Sequence, residues 1–197
     1  MSYELTTQVR YEDSPNIDAN GRLRVSQLTS QYDGKQLYDK LPLFVDEEII
    51  GLGRADHNLT FAKTEIVTPT NGDDVILQTK QRFNYQSGKS QLILFTFENF
   101  GGSAAFSDNL SVVTTRSGTE TSRVIRADWD DPLDGSGVSG VTHDFRDNTI
   151  FAIDYEWSGV GRVRYYIKKN GVFILFHSVD FTNETDVYMA SPNQPLS

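Results

Sequence analysis

Apolar and polar positions alternate most regularly between Asn148 and Phe181, where Phe151, Ile153, Tyr155 and Trp157 interleave with Ile150, Ala152, Asp154 and Glu156. A period of two belongs to a strand whose faces lie in different surroundings. After Ser158-Gly159 the next stretch sends Val163, Tyr165 and Ile167 one way and Arg162, Arg164, Tyr166 and Lys168 the other. Asn170-Gly171 then offers the two left-handed positions of a type I′ hairpin. The segment reads as three antiparallel strands over 148–157, 162–169 and 172–179. With Asn170-Gly171 as the loop, Ile167 faces Ile174, Tyr165 faces Phe176 and Val163 faces Ser178, which makes a core face. The opposite face pairs Lys168 with Phe173, Tyr166 with Leu175 and Arg164 with His177. That face is too apolar for open water and too charged for a plain core, so a second sheet, a neighbouring subunit or a ligand is expected to cover it.

Upstream the same grammar repeats from Leu59, with β-prone runs separated by Gly, Asn, Asp and Ser clusters. Strands are expected at about 59–68, 74–83, 90–98, 109–116 and 121–128, with turns at Asn71-Gly72-Asp73, Gln86-Ser87-Gly88, Gly101-Gly102-Ser103 and Ser117-Gly118. Gln91–Phe97 (QLILFTF) is apolar on both faces and is expected in the middle of a sheet. Before Leu59 the pattern weakens. Residues 32–50 are expected to hold one helical turn at Lys35–Lys40, ended by Pro42, with Leu37, Leu41, Leu43 and Phe44 anchored on the core. Residues 1–31 carry few apolar side chains and the turn-rich run DSPNIDANG, the pattern of an extended arm. The expected architecture is all-β: an antiparallel two-sheet β-sandwich or jelly roll over residues 32–197, preceded by that N-terminal arm.

Composition narrows the function classes. The 197 residues include no cysteine, which removes disulfides and cysteine-bound zinc and favours an intracellular origin. A net charge of −9 argues against nucleic acid as a partner, because phosphate contacts need clustered Lys and Arg. No apolar leader or membrane-length run is present, so a soluble protein made in the cytoplasm is expected, with no membrane partner. The sequons at Asn58, Asn109 and Asn183 are then coincidental.

Few residues suggest chemistry. Asp154 and Glu156 lie two apart on one strand face, a spacing that suits an acid and a nucleophile in glycoside hydrolysis, though a solvated outer face carries the same pattern. The acidic run Asp128–Gly135 lacks EF-hand spacing and reads as a turn whose Asp side chains bond their own backbone. His57, His143 and His177 belong to no metal-ligand motif and read as surface or interface histidines. Trp129 and Trp157 read as core before they read as sugar platforms. No catalytic residue, metal or cofactor is expected.

Three stretches carry a resemblance: DANGRLRVSQLTSQYDGKQLYDKLPLFVDEEI at 18–49, QRFNYQSGKSQLILFTF at 81–97, and FAIDYEWSGVGRVRY with the tail VYMASPNQPLS. In order and spacing they resemble a family of virion-associated structural proteins of tailed bacteriophages, in which G-R-x-R-[VT]-S precedes D-x-x-x-x-[YF]-D-x-x-P-L-[FW]. The hairpin is also similar to strands of concanavalin-like jelly rolls. The resemblance implies a virion location and a non-enzymatic role, capsid decoration or cement first and tail or fibre adaptor second. It also implies the major capsid protein or other virion proteins as partners, and a homotrimer. Arg22, Arg24 and Phe44 are the arm residues expected to bind the partner, Arg through paired donors and Phe as an apolar anchor. Tyr166, Phe173 and Leu175 are the expected subunit interface. A carbohydrate-binding module using that same face or exposed tryptophans is the alternative from another class.

Overall fold

The computed structural model describes residues 29–84, 90–98, 110–116, 119–155, 161–181, 193–194 and 196. The protein is all-β, and every ladder between described strands is antiparallel. Contacts divide the chain into two compact units, one centred on residues 86–190 and the other on residues 27–85 with 191–197. Among the described residues no helix is long and apolar enough to cross a membrane.

In the unit around residues 27–85, β1 (Val45–Ile50), β2 (Arg54–Asn58), β3 (Lys63–Val67) and β4 (Asp74–Thr79) form two ladders, β1 with β4 and β2 with β3. The short β5 (Phe83–Asn84) pairs with β12 (Asn193–Gln194). Thr79 stitches this second crossing: its amide donates to the Leu196 carbonyl at 2.8 Å, and the Leu196 amide donates to Thr79 Oγ1 at 2.9 Å. Strands β1 and β2 were not expected, because VDEEII and RADHN hold their charges without alternation. The strand expected from residue 59 starts only at Lys63. Leu59–Ala62 instead forms the β2–β3 turn, where Asn58 Oδ1 accepts the amides of Thr60 at 3.1 Å and Phe61 at 3.3 Å. No helical turn forms at Lys35–Lys40. Gly34 and Pro42 leave too few residues to nucleate one, and Lys40 Nζ is drawn instead to Glu47 Oε2 at 2.6 Å and the Ala55 carbonyl at 2.8 Å.

The larger unit contains β6 (Gln91–Phe97), β7 (Ser111–Arg116), β8 (Thr119–Ile125), β9 (Thr149–Tyr155), β10 (Arg162–Lys169) and β11 (Val172–Asp180). Four strands form one sheet in the order β11-β10-β9-β6, and β7 pairs with β8 as a separate hairpin. One face of the sheet is covered by that hairpin and by the segment from Arg126 to Asp147. Val112, Trp129, Leu133, Phe145, Ile167 and Phe176 are buried together there, ringed by Leu110, Val124, Phe151, Tyr165, Ile174 and Val179. Burying each large side chain contributes about 1.5–3 kcal/mol before entropic losses. Trp129 belongs to this core as expected. Its ring lies 4.6 Å from that of Phe176 and edge-on to Phe145 at 5.9 Å, and its Nε1 donates to the Val124 carbonyl at 3.1 Å.

Two expectations about the sheet are corrected. Gln91–Phe97 pairs only with β9 and is an edge strand among the described residues, with Leu94, Phe95 and Phe97 partly in solvent. Among the described residues no second neighbouring strand accounts for its two-sided apolarity. The hairpin register follows the expected pairs for Ile167↔Ile174, Tyr166↔Leu175 and Lys168↔Phe173, then shifts at a β-bulge, so that Tyr165 faces His177, Arg164 faces Ser178 and Val163 faces Val179. One extra residue on β11 lets Phe176 stay in the core while its neighbour His177 meets Tyr165.

Candidate functional site

Of the residues expected to engage a partner, Arg22 and Arg24 lie outside the described residues. Phe44 sits in the turn that leads into β1. Leu41 has a left-handed backbone (φ 59°) and its carbonyl accepts the amides of Phe44 at 2.8 Å and Val45 at 2.9 Å. Lys80 closes the turn from the far side, its amide donating to the Phe44 carbonyl at 2.8 Å and its Nζ to the Pro42 carbonyl at 2.9 Å. A turn held this firmly has little left to lose on binding. It presents Leu43, 82% exposed, and Phe44, 55% exposed, to solvent. The expectation that Leu37, Leu43 and Phe44 anchor on the core is therefore overturned. In the same unit Tyr38, Leu52, Leu59, Phe61 and Ile66 are also exposed. The unit is short and its ladders are two-stranded, which limits how much apolar surface it can cover by itself.

Tyr166, Phe173 and Leu175 do gather on one face of the four-stranded sheet. Tyr166 pairs across the ladder with Leu175, and its ring meets that of Phe173 edge-on at 6.4 Å. Lys168 Nζ lies 5.5 Å from the Phe173 ring centroid. Tyr166 has no exposed surface within the single chain, while Phe173 and Leu175 are half-buried. Beside them Asp154 and Arg164 are joined by an ion pair with both side chains fully buried, and the Arg164 guanidinium lies 5.8 Å from the Tyr166 ring. The solvated outer face expected around Asp154 is thus corrected: this carboxylate is sealed and matched to a cation. Glu156 and Trp157 lie outside the described residues, and Trp129 is buried, so no described tryptophan offers a sugar platform.

Two of the three histidines, expected at the surface or an interface, are buried within the single chain. His177 faces Tyr165, with the rings stacked at 6.4 Å, and its Nδ1 is 3.4 Å from Asp130 Oδ2. His143 packs edge-on against Phe145 at 4.8 Å, and burial, helped by the nearby Lys169 and Arg126 charges, pushes its pKa down. Burial likewise pushes the Tyr165 phenol up to about 12. The acidic run behaves as a self-bonded turn, as expected. Asp131 accepts the amides of Leu133 at 3.0 Å and Ser139 at 2.8 Å, and Asp134 accepts the Ser136 amide at 2.8 Å. Among the described residues no group of three metal-ligating side chains comes together.

The rigid Leu43-Phe44 turn is the feature sequence reasoning placed least well. Its signal was present in L-P-L-F, where a proline fixes the backbone and no alternation assigns the flanking apolar residues to a core. No family model, curated protein or solved structure matches the chain.

Proposed function

We propose that the protein is a non-enzymatic assembly subunit, a structural component of a bacteriophage virion that decorates or cements the capsid as a homotrimer. It docks on the major capsid protein or another virion protein through the segment containing Arg22, Arg24 and Phe44. The observation that carries the reading is the preorganised Leu41–Val45 turn, which holds Leu43 and Phe44 out in solvent. An aromatic anchor on a fixed turn, within a unit that leaves further apolar side chains uncovered, is the composition of a binding surface and not of a catalytic cleft. The family resemblance supplies the virion setting. A glycan-cleaving role is not favoured, because Asp154 is buried and neutralised by Arg164.

The test is attachment to depleted particles. Removing residues 1–30, or replacing Phe44→Asp, is expected to abolish attachment while the thermal unfolding midpoint stays unchanged. Particles that bind both variants at wild-type occupancy would sink the proposal.

A further inference from the structure

Asn71-Gly72 and Asn170-Gly171 are both exposed, so solvent access does not distinguish these two Asn-Gly pairs. Their backbones do. Asn170 has φ 53° and Gly171 φ 82°, and the hairpin they close is held at its base by the Lys169↔Val172 pair within the four-stranded sheet. Asn71 has a negative φ, Gly72 has φ 99°, and the Asp73 amide donates to the Thr70 carbonyl at 3.2 Å, which makes 70–73 a type II turn. This turn joins β3 to β4, strands that pair with β2 and β1 and not with each other. No ladder therefore fastens its two ends. Asp73 does so through its side chain: Oδ2 accepts the Thr70 amide at 2.8 Å and the Thr70 hydroxyl at 2.7 Å. The other oxygen, Oδ1, accepts the Leu52 amide at 2.9 Å and so clips the turn between β1 and β2.

The Gly72 nitrogen is accessible as a nucleophile. Its amide donates to no described residue, and a Cβ built on Gly72 would meet nothing within 4 Å. To reach the Asn side-chain carbonyl carbon, the following nitrogen must swing toward Cβ about the Cα–C bond. In the left-handed region that nitrogen lies nearly anti to Cβ, whereas the first corner of a type II turn starts about 50° closer. Asn170 must in addition leave a hairpin that its sheet keeps closed.

We propose that Asn71-Gly72 is a site of spontaneous succinimide formation and isoaspartate conversion, and that the conversion releases the Asp73 clip on the turn between β1 and β2. The Gly72 nitrogen bonds to Asn71 Cγ, the Cγ–Nδ2 bond breaks, and ammonia leaves with the proton that the Gly72 nitrogen gives up. Water then opens the five-membered ring. Attack at Cγ leaves aspartate, and attack at the backbone carbonyl leaves isoaspartate, whose main chain runs through Cβ and Cγ and is one methylene longer. That methylene falls inside the span that Asp73 bridges to Thr70, and the new carboxylate appears next to Asp73 and Asp74.

Ageing the full chain at mildly alkaline pH and mapping its peptides by mass, with enzymatic methylation to mark isoaspartate, tests the site. In the folded protein Asn71 is expected to convert at least about tenfold faster than Asn170, and the two rates should converge in urea, where the backbone difference is lost. In the isolated isoaspartate form the Leu52 amide should exchange hydrogen at least about tenfold faster than in fresh protein. Asn71→Ser removes the electrophile and should keep Leu52 protected through the same ageing. Asn170 converting as fast as Asn71 in the folded protein would overturn the site, as would an intact Asn71 under conditions where the urea-unfolded chain reacts there. Unchanged Leu52 exchange in the isoaspartate form would overturn the release of the clip.

Discussion

Asp154 and Arg164 stand opposite each other on β9 and β10 and form an ion pair with no exposed side-chain surface on either residue. The pair lies beside Tyr166, on the face of the sheet away from Trp129. Removing one charge from such a pair strands the other in a medium that solvates it poorly. Removing both need not be costly, since apolar groups of similar volume pack without any desolvation cost.

Asp154→Ala is therefore expected to destabilise the protein by about 3–5 kcal/mol in urea titrations. The double replacement Asp154→Leu with Arg164→Met should recover most of that loss. A single-variant loss under about 1 kcal/mol would mean that the pair behaves like a surface ion pair.

His143 predicts the acid limb of the stability curve. Its folded-state pKa lies below the unfolded value of 6.5, so the unfolded chain binds the extra proton more readily. The stability linked to this group is present above pH 6.5 and is lost as pH falls from there through the folded value. Unfolding free energies between pH 5 and pH 8 should decline toward the acid end. In His143→Gln, which keeps a donor for Thr149, that part of the slope should flatten. An unchanged slope would remove His143 as its source.

The two glycines at Gly171 and Gly137 should fail for different reasons. Gly171 has φ +82°, and an added Cβ would meet nothing within 4 Å, so Gly171→Ala is expected to cost only left-handed backbone strain. That strain is about 1–2 kcal/mol. At Gly137 the added Cβ would fall 2.1 Å from Asp131 Oδ1, the atom that accepts the Leu133 amide. Gly137→Ala should displace a carboxylate buried beneath the loop and alter the fluorescence of the nearby Trp129. Gly171→Ala should leave that fluorescence as it is. Identical spectra for both would contradict the assignment.

Local rules reached furthest where one segment makes its own neighbours. The hairpin around Asn170-Gly171 was legible because its turn chemistry and alternation agree, and its register holds up to Tyr166. The bulge that follows left no mark, since Phe176 and His177 look the same whether or not one residue is extra. Edge or centre was illegible for β6, because a strand apolar on both faces says nothing about who lies beside it. The core face was legible from the alternation, but Asp154 reads as solvated in isolation, and only its cross-strand pairing with Arg164 shows it sealed. The way Arg126 ties down its loop was out of reach altogether, since its bonds to the carbonyls of Pro132 and Leu133 are encoded by no pattern of side-chain types.

The edge position of β6 also bears on the order in which the sheet is assembled. Strands β9, β10 and β11 are joined by short connections and can zip in sequence, whereas β6 finds β9 only after the whole stretch from Glu98 to Asn148 has been drawn into a loop. Closing a long loop costs entropy before any pairing rewards it. The three-stranded meander is therefore expected to form first, with β6 joining it afterwards.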